Sequence, residues 1–483
     1  MERISLLDDL FLWLERRSQP LHVAGLLIFE KPKGAPANFI SDMAEFIRQY
    51  DQPSAPFNQR LVSRKRGHFW KHDSSFDLDH HFRHVALPKP GGVKELLTFV
   101  SIEHSNLLDR SRPLWESYLI EQMHGRHFAM YNKVHHSVLD GVSGVRATIQ
   151  SLSTDPEQRD MPPFWQMPAL DPVSPQEAES PGRFAALKKL SGMASRQVSS
   201  VPTVVKALYQ TVQAASKDSE YSNVFKAPPS KLNQPITGSR RFVAQSYERA
   251  RLKAIATQTG STTNDIVLAL SATALRNYLA SIDSLPDDPL IAMVPVSLRT
   301  DDSVGGNQVA AILANLGTHK EDPLERLNIV KDSVQQAKAK FGQMSKEEIV
   351  NYTALSLAPT GLTVLTGLLP KWLAFNVVIS SVPGTTDTLY WNGAKMERYY
   401  PVSAIVNQMA LNITLVHYED RLEFGIVGCR RTLPSMQRLL GFLDDAISEL
   451  EAVVGIADSK QVKGASTRKT KIAFLDRTRE EHA

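Results

Sequence analysis

The stretch Tyr131-Asn132-Lys133-Val134-His135-His136-Ser137-Val138-Leu139-Asp140-Gly141 decides how the rest of the chain reads. The residues leading into it alternate. Phe128, Met130, Asn132 and Val134 fall on one face of an extended segment, and Ala129, Tyr131 and Lys133 on the other, the period of two that marks a strand. Two histidines stand where that strand ends. Asp140-Gly141 supplies a turn signal four residues past His136, where glycine tolerates backbone angles that other residues resist. Helical character then runs from Val142 to Leu152, so a strand, a polar turn and a helix follow one another as in an α/β protein.

Histidine accepts and returns a proton near neutral pH because its unperturbed pKa is about 6.5, and a nearby carboxylate can orient it or the loop that carries it. His136 is therefore a candidate general base, with His135 and Asp140 beside it. The plainer reading of such a pair is structural, two satisfied histidines at a strand end. Zinc ligation is disfavoured, because adjacent side chains on a strand point to opposite faces and do not easily share one ion.

Working outward, 483 residues exceed one ordinary core and predict two domains of about 200 residues each. Hydrophobic residues at 42% and charged residues at 22% are a foldable, globular composition. The 55 Lys and Arg exceed the 51 acidic residues too slightly to argue for nucleic acid as a partner. The single cysteine, Cys429, excludes an internal disulfide and fits a reducing compartment. Asp8 and Asp9 stand where a signal peptide would need an uninterrupted apolar region. The most apolar stretch, Leu355 to Ile379, is broken by Pro359, Gly361, Gly367, Pro370 and Lys371 and so fails as a spanning helix. Together these features predict a cytoplasmic protein or one that sits on a membrane surface.

Along the chain, Leu6 to Glu15 has helical spacing after a capping Ser5, and His22 to Phe29 reads as a strand. Residues 38–50 and Val93 to Ser105 suit helices, with two short strands between Phe57 and Trp70. His72, His80, His81 and His84 occur with Asp73, Asp77 and Asp79 in a spacing that matches no closed zinc site and reads as a structural or substrate-lining loop. Residues 155–181 have linker composition. Residues 183–217 are basic and helical, either a crossover between domains or a segment that lies on an anionic lipid surface. In the second half, Thr262-Thr263-Asn264-Asp265 supplies cap residues for an apolar helix from Ile266 to Leu279. Strands at Arg240 to Ser246, Leu290 to Val296, Ala310 to Leu316, Ala374 to Ser380, Leu411 to Tyr418 and Arg421 to Val427 interleave with helices at 322–341 and 433–454. That order predicts two mixed sheets flanked by helices.

His135-His136-Ser137-Val138-Leu139-Asp140-Gly141 resembles the HHxxxDG signature of the bacterial wax ester synthase/diacylglycerol acyltransferase family. The likeness continues through Phe76-Asp77-Leu78-Asp79-His80-His81, Leu87-Pro88 and Leu108-Asp109-Arg110-Ser111-Arg112-Pro113-Leu114-Trp115-Glu116. Asn264-Asp265, Pro295-Val296-Ser297-Leu298-Arg299 and Asn376-Val377-Val378-Ile379-Ser380-Ser381-Val382-Pro383-Gly384 resemble the family's later motifs in order. The last departs from the usual Ser-Asn-Val-Pro-Gly, so a role for Asn does not carry over to Ser381. The family is similar to chloramphenicol acetyltransferase and the peptide-synthetase condensation domains. The resemblance therefore implies an α/β fold of two chloramphenicol acetyltransferase-like domains with an active-site tunnel between them. On this reading 1–180 is an N-terminal acyltransferase domain, 181–220 a helical crossover, 221–457 a C-terminal acyltransferase domain and 458–483 a mobile polar tail.

The resemblance also implies the chemistry: transfer of a long-chain acyl group from acyl-CoA to a fatty alcohol or a diacylglycerol, with no cofactor, no metal and no covalent acyl-enzyme. Such transfer needs a base for the hydroxyl and a donor for the developing oxyanion. His136 is implied as the base, with His135 supporting and Asp140 organising the loop through an ion pair to Arg299. Asn264 is implied to polarise the thioester carbonyl or position the acceptor, with Asp265 its neighbour. Gly141, Pro113, Trp115 and Arg299 are structural parts of the motifs. The missing Gly-x-Ser-x-Gly elbow weakens a serine hydrolase. An apolar tunnel suits long methylene chains, and Leu355 to Leu373, including Leu357 and Ala358, is a candidate wall or plain core. Peripheral attachment to the inner membrane or lipid inclusions and a homodimer fit the family. Transfer from a carrier protein, another acceptor, and a non-catalytic lipid-binding role remain the alternatives.

Overall fold

A computed structural model of the chain describes residues 1–64, 67–167, 227–297, 309–344, 349, 352, 353, 357 and 373–456. The crossover expected at 181–220, the tail at 458–483, Arg299 and Ala358 lie outside the described residues.

The first half opens with β1 (Glu2–Arg3), α1 (Leu6–Leu14), β2 (His22–Glu30) and α2 (Phe39–Arg48). The expected strand pair follows as β3 (Gln59–Arg64) and β4 (Gly67–His72), then β5 (Phe82–Ala86), α3 (Val93–Glu103), β6 (Trp115–Glu121), β7 (His127–His135) and α4 (Gly141–Gln150). The second half holds β8 (Arg240–Glu248), α5 (Arg249–Thr259), α6 (Thr263–Ala280), β9 (Ile291–Ser297), β10 (Val309–Asn315) and α7 (Pro323–Gly342). It closes with β11 (Val377–Thr385), β12 (Tyr390–Trp391), β13 (Ala394–Val402), β14 (Leu411–Tyr418), β15 (Arg421–Cys429) and α8 (Arg438–Val453).

Two six-stranded mixed sheets result, in the orders β12-β13-β2-β7-β6-β5 and β10-β9-β11-β14-β15-β8. β2 and β7 pair antiparallel from His22 opposite His135 to Glu30 opposite His127, so the histidine motif leaves from the centre of its sheet. In the second sheet β11 runs parallel to both β9 and β14. Gly384 of the Val-Pro-Gly motif lies where β11 slips register against β14. A Cβ there would collide with the His417 backbone oxygen, so only glycine fits.

β12 and β13 correct the simple division into consecutive domains. Residues 394–402 come from the second half of the chain but extend the first sheet, where β13 covers the outer edge of β2 and gives its backbone groups partners. One core cluster accordingly spans both halves, with Leu26, Tyr118 and Tyr131 in the same packed group as Phe242, Ile413 and Phe424. α6 underlies the second sheet. From Asp265 to Leu275 every residue is buried, as expected of a helix apolar nearly all round. Its start is fixed by a reciprocal cap, with the Asp265 backbone N–H donating to Thr262 Oγ1 at 3.2 Å and Thr262 N–H donating to Asp265 Oδ2 at 2.9 Å.

Candidate active site

A cavity of about 560 Å³ lies between the two sheets, walled by β2, β7 and β13 on one side and β9, β10, β11 and β14 on the other. Most of its surface is apolar, from residues such as Val23, Val134, Met293, Ala311, Val378 and Leu411. His136 and Asp140 reach it from the end of β7, and α4 lies along it. Leu357 lines it as well.

His136 is held by backbone and ring together. Its N–H donates to the Leu21 carbonyl at 3.0 Å, which continues the β2–β7 ladder one residue past the strand. Its imidazole stacks on Phe11 of α1 with centroids 4.2 Å apart and planes 14° from parallel. Nδ1 is buried without a hydrogen-bond partner among the described residues. Burial lowers the pKa of the ring below the usual histidine value, while its own backbone and the Asp140 charge pull the other way. A buried ring of lowered pKa is uncharged at neutral pH and has a free lone pair, the state a proton acceptor requires.

His135 points to the opposite face, as alternation along a strand demands. It is fully buried. The Ser137 N–H donates to its Nδ1 at 3.1 Å, which leaves the proton on Nε2, 3.4 Å from Glu15 Oε1. His135 is thus a positioning residue that does not meet the cavity. Glu15 receives more than this contact. The Leu21 N–H donates to Oε1 at 3.1 Å, and Arg110 donates to Oε2 from Nε at 3.2 Å and Nη2 at 3.1 Å. Burial alone would raise the Glu15 pKa, but His135, the Leu21 N–H and Arg110 outweigh it and the carboxyl lies below its usual value. Leu21 links the two sites directly, since its N–H binds Glu15 and its carbonyl binds His136.

Asp140 is the N-cap of α4 and accepts from the Ser143 N–H at 2.7 Å, so it organises the loop. Its expected partner Arg299 is outside the described residues. Gly141 corrects a sequence expectation. Its φ is not in the left-handed region, so the turn does not require glycine there. Instead it opens α4 and faces the cavity.

The remaining motif residues are brought together less closely. Asn264 does not line the cavity. Asp265 is spent on the α6 cap, as local chemistry alone suggested, although its Oδ1 is buried with no hydrogen-bond partner among the described residues. Nothing in this geometry joins the pair to His136. Pro113 is bridged to Arg60 at the edge of the β3–β4 hairpin. Trp115 is buried, donates from Nε1 to the Phe57 carbonyl at 2.8 Å, and stacks on Trp165 and His81. Both are braces. His81 accompanies them in that cluster, its pKa lowered to about 4 by burial. His80 pairs with Asp77 and His84 with Glu121, and among the described residues no three His, Cys, Asp or Glu side chains gather as a metal site.

Sequence reasoning missed Phe11, Glu15 and Ser380. Phe11 and Glu15 carried only helical spacing as a signal. Ser380 faces the cavity while Ser381 is exposed on the other side of β11, so the departure from the family's usual asparagine falls outside the cavity.

Comparison with known proteins identifies the family and the fold. The wax ester synthase/diacylglycerol acyltransferase catalytic domain matches residues 4–267 and the family's C-terminal domain residues 305–451. O-acyltransferase WSD of Acinetobacter baylyi is 46% identical over 462 residues, covering 95% of this chain and 99% of that protein. The solved wax ester synthase/diacylglycerol acyltransferase from Marinobacter aquaeolei VT8 superposes with a TM-score of 0.82 at 46% identity, over 94% of this chain and all of that one. The first condensation domain of the calcium-dependent antibiotic synthetase shares the fold, with a TM-score of 0.56 at 13% identity over 94% of this chain and 96% of that one. The chain belongs to the wax ester synthase/diacylglycerol acyltransferase family.

Proposed function

We propose that this chain moves a long-chain acyl group from acyl-CoA directly to the hydroxyl of a long-chain alcohol or a diacylglycerol, with His136 as general base. The observation that carries the mechanism is a buried imidazole with no hydrogen-bond partner at Nδ1 among the described residues, standing in a large apolar cavity; its burial, which lowers the pKa, supports the uncharged state. His136 takes the hydroxyl proton as the acceptor oxygen attacks the thioester carbonyl carbon. The new C–O bond forms, the C–S bond breaks, and the proton passes to the leaving thiolate, so the base is regenerated. Phe11, Leu21 and the Glu15–His135–Arg110 cluster hold the ring, and Asp140 holds the loop behind it.

The apolar lining supports long-chain substrates, because each buried CH₂ contributes about 0.8 kcal/mol and needs no polar partner. Such acceptors reside in bilayers and lipid inclusions, so contact with a lipid surface is part of the proposal. α1 offers the surface for it: Phe11 lines the cavity, while Leu10 and Trp13 are 43% and 63% exposed. No helix among the described residues is long and apolar enough to cross a membrane.

The test is thiol release from palmitoyl-CoA with hexadecanol or a diacylglycerol, combined with intact-protein mass spectrometry without acceptor. Acceptor-dependent release and an unmodified protein mass are expected, and the faster acceptor names the principal product. An acylated protein that discharges on adding acceptor would contradict direct transfer.

A further inference from the structure

Attack on a thioester gathers negative charge on the carbonyl oxygen, and a donor already aimed at that oxygen speeds the step. Asn264 does not line the cavity, so the role is open. A different asparagine, Asn412 of β14, does line it. Its amide is anchored at one end. Thr414, two residues along the same face of the strand, donates from Oγ1 to Asn412 Oδ1 at 2.8 Å. A hydroxyl has a single proton, so the 2.6 Å contact between Thr414 and Ser403 is donated by Ser403. Two hydroxyls in line thus hold the carbonyl end of the amide. Nδ2 has no hydrogen-bond partner among the described residues and is not sealed inside the protein, so its N–H groups open to the cavity.

The strands place this amide on the wall that faces the base. Ser403 follows Val402, which stands opposite Ala24 of β2, and Ala24 stands opposite Lys133 of β7. The Ser403–Thr414 bond therefore ties the two sheets together near the end of β7. From Thr414 back to Asn412, β14 runs toward the loop at 405–409, where the Asn407 N–H donates to Gln19 Oε1 at 2.6 Å. Gln19 is two residues from Leu21, whose carbonyl holds His136. Other donors on the cavity wall are worse prepared. Asn132 accepts from Ser117 at 2.7 Å but lies four residues before His136, about 13 Å back along β7. Thr148 spends its proton on the Gly144 carbonyl at 2.9 Å, and no side-chain bond among the described residues fixes the hydroxyls of Ser380 and Thr353.

We propose that the Asn412 amide donates to the thioester carbonyl oxygen and stabilises the charge that develops there. As the acceptor oxygen bonds to the carbonyl carbon, its proton goes to His136 and the carbonyl π pair moves onto the oxygen held by Asn412. When that pair returns, the C–S bond breaks and the thiolate takes the proton from His136. This assignment rests on the acyl-transfer function proposed above. The two fail separately, because an inactive native protein removes the function, whereas an active native protein matched by its Asn412 variant removes only the donor.

The experiment compares the native chain with Asn412→Ala and Thr414→Val in palmitoyl-CoA thiol release with hexadecanol. Inhibition by S-hexadecyl-CoA, a thioether with the same chain and no carbonyl oxygen, is measured beside it. In Asn412→Ala kcat falls by about a hundred- to a thousandfold, the usual loss for one oxyanion donor, while the Ki of the thioether is unchanged. The acid limb of the pH profile stays in place, because the amide carries no charge and bonds to Thr414 instead of the base. A native kcat in Asn412→Ala overturns the proposal. So does a Ki that weakens as much as kcat falls, since that would show a damaged cavity instead of a lost donor. Thr414→Val leaves the amide in place but releases its anchor, so kcat falls by less, again at unchanged Ki. This second variant decides the matter if Asn412→Ala does not fold, and native kcat in it overturns the part given to Thr414 in aiming the amide.

Discussion

Replacing Glu15 with glutamine leaves the shape of the side chain intact but removes one of its two acceptor oxygens. The carboxylate serves three donors at once, Leu21 N–H at 3.1 Å, the Arg110 guanidinium at 3.1 and 3.2 Å, and His135 Nε2 at 3.4 Å. An amide has a single acceptor oxygen, so its NH₂ must face either Arg110 or His135 Nε2–H, donor against donor. Breaking a fully buried pair costs about 3–5 kcal/mol. Arg110 is 38% exposed on its side chain and can turn to water, which brings the expected loss to about 2–3 kcal/mol. The catalytic effect travels through Leu21, whose carbonyl holds the His136 N–H at 3.0 Å. A shift of the base by about 1 Å costs about a hundredfold in rate, so kcat in Glu15→Gln falls by roughly ten- to a hundredfold while KM for acyl-CoA is nearly unchanged. Steady-state thiol release gives the kinetic split, and urea unfolding followed by tryptophan fluorescence gives the stability. A Glu15→Gln protein with native kcat would refute the idea that this cluster positions the base, whatever its stability.

Three other outcomes follow from individual residues. Asp140→Asn keeps a good N-cap for Ser143 N–H but removes the charge that raises the His136 pKa. The acid limb of kcat/KM, expected below about 6.5 in the native enzyme, therefore moves to lower pH at unchanged Tm, and movement to higher pH would contradict the assignment. Asp265→Ala loses the carboxylate arm of the α6 cap, which accepts from Thr262 N–H and Oγ1, while the N–H of residue 265 still donates to Thr262, and about 1 kcal/mol of stability goes with it. If it lost activity at native stability, the residue would have to be returned to the active site. Acid should weaken the fold, because burial lowers the pKa of His22, of His81 to about 4 and of His104 to about 3. These rings stay neutral when folded and charge only on unfolding, so stability present above pH 6.5 is lost as pH falls toward 4. Each contributes about 1.4 kcal/mol per pH unit, less what Glu423, raised to about 7 by burial, returns with the opposite sign. Urea midpoints that stay flat between pH 6.5 and 5 would count against these burials.

The parts of the fold that were legible are those with an unbroken period or a local chemical signal. β7 alternates through its whole length, and the Thr262–Asp265 cap announces α6 within four residues. β13 was hidden because a register shift between Met396 and Arg398 breaks its alternation and Pro401 sits inside it, both of which argue against a strand in sequence. Its outer side beyond Lys395 has no strand partner among the described residues, which is what lets proline stay. Glu15 was hidden for another reason. A glutamate at the end of an amphipathic helix reads as solvated, and its partners Arg110 and His135 lie 95 and 120 residues away. His136 and Asp140 were legible because loop and strand carry them together, whereas Asn264 and Asp265 matched a motif whose place in this structure is a helix cap.

The most direct test of the mechanism is palmitoyl-CoA thiol release with hexadecanol by the native protein and by His136→Ala, each checked for native unfolding behaviour. Acceptor-dependent release that falls by about a hundredfold or more in the variant is the expected result for loss of a general base. Release at the native rate from a well-folded His136→Ala protein would contradict the assignment of the base and require another group in the cavity to take the proton.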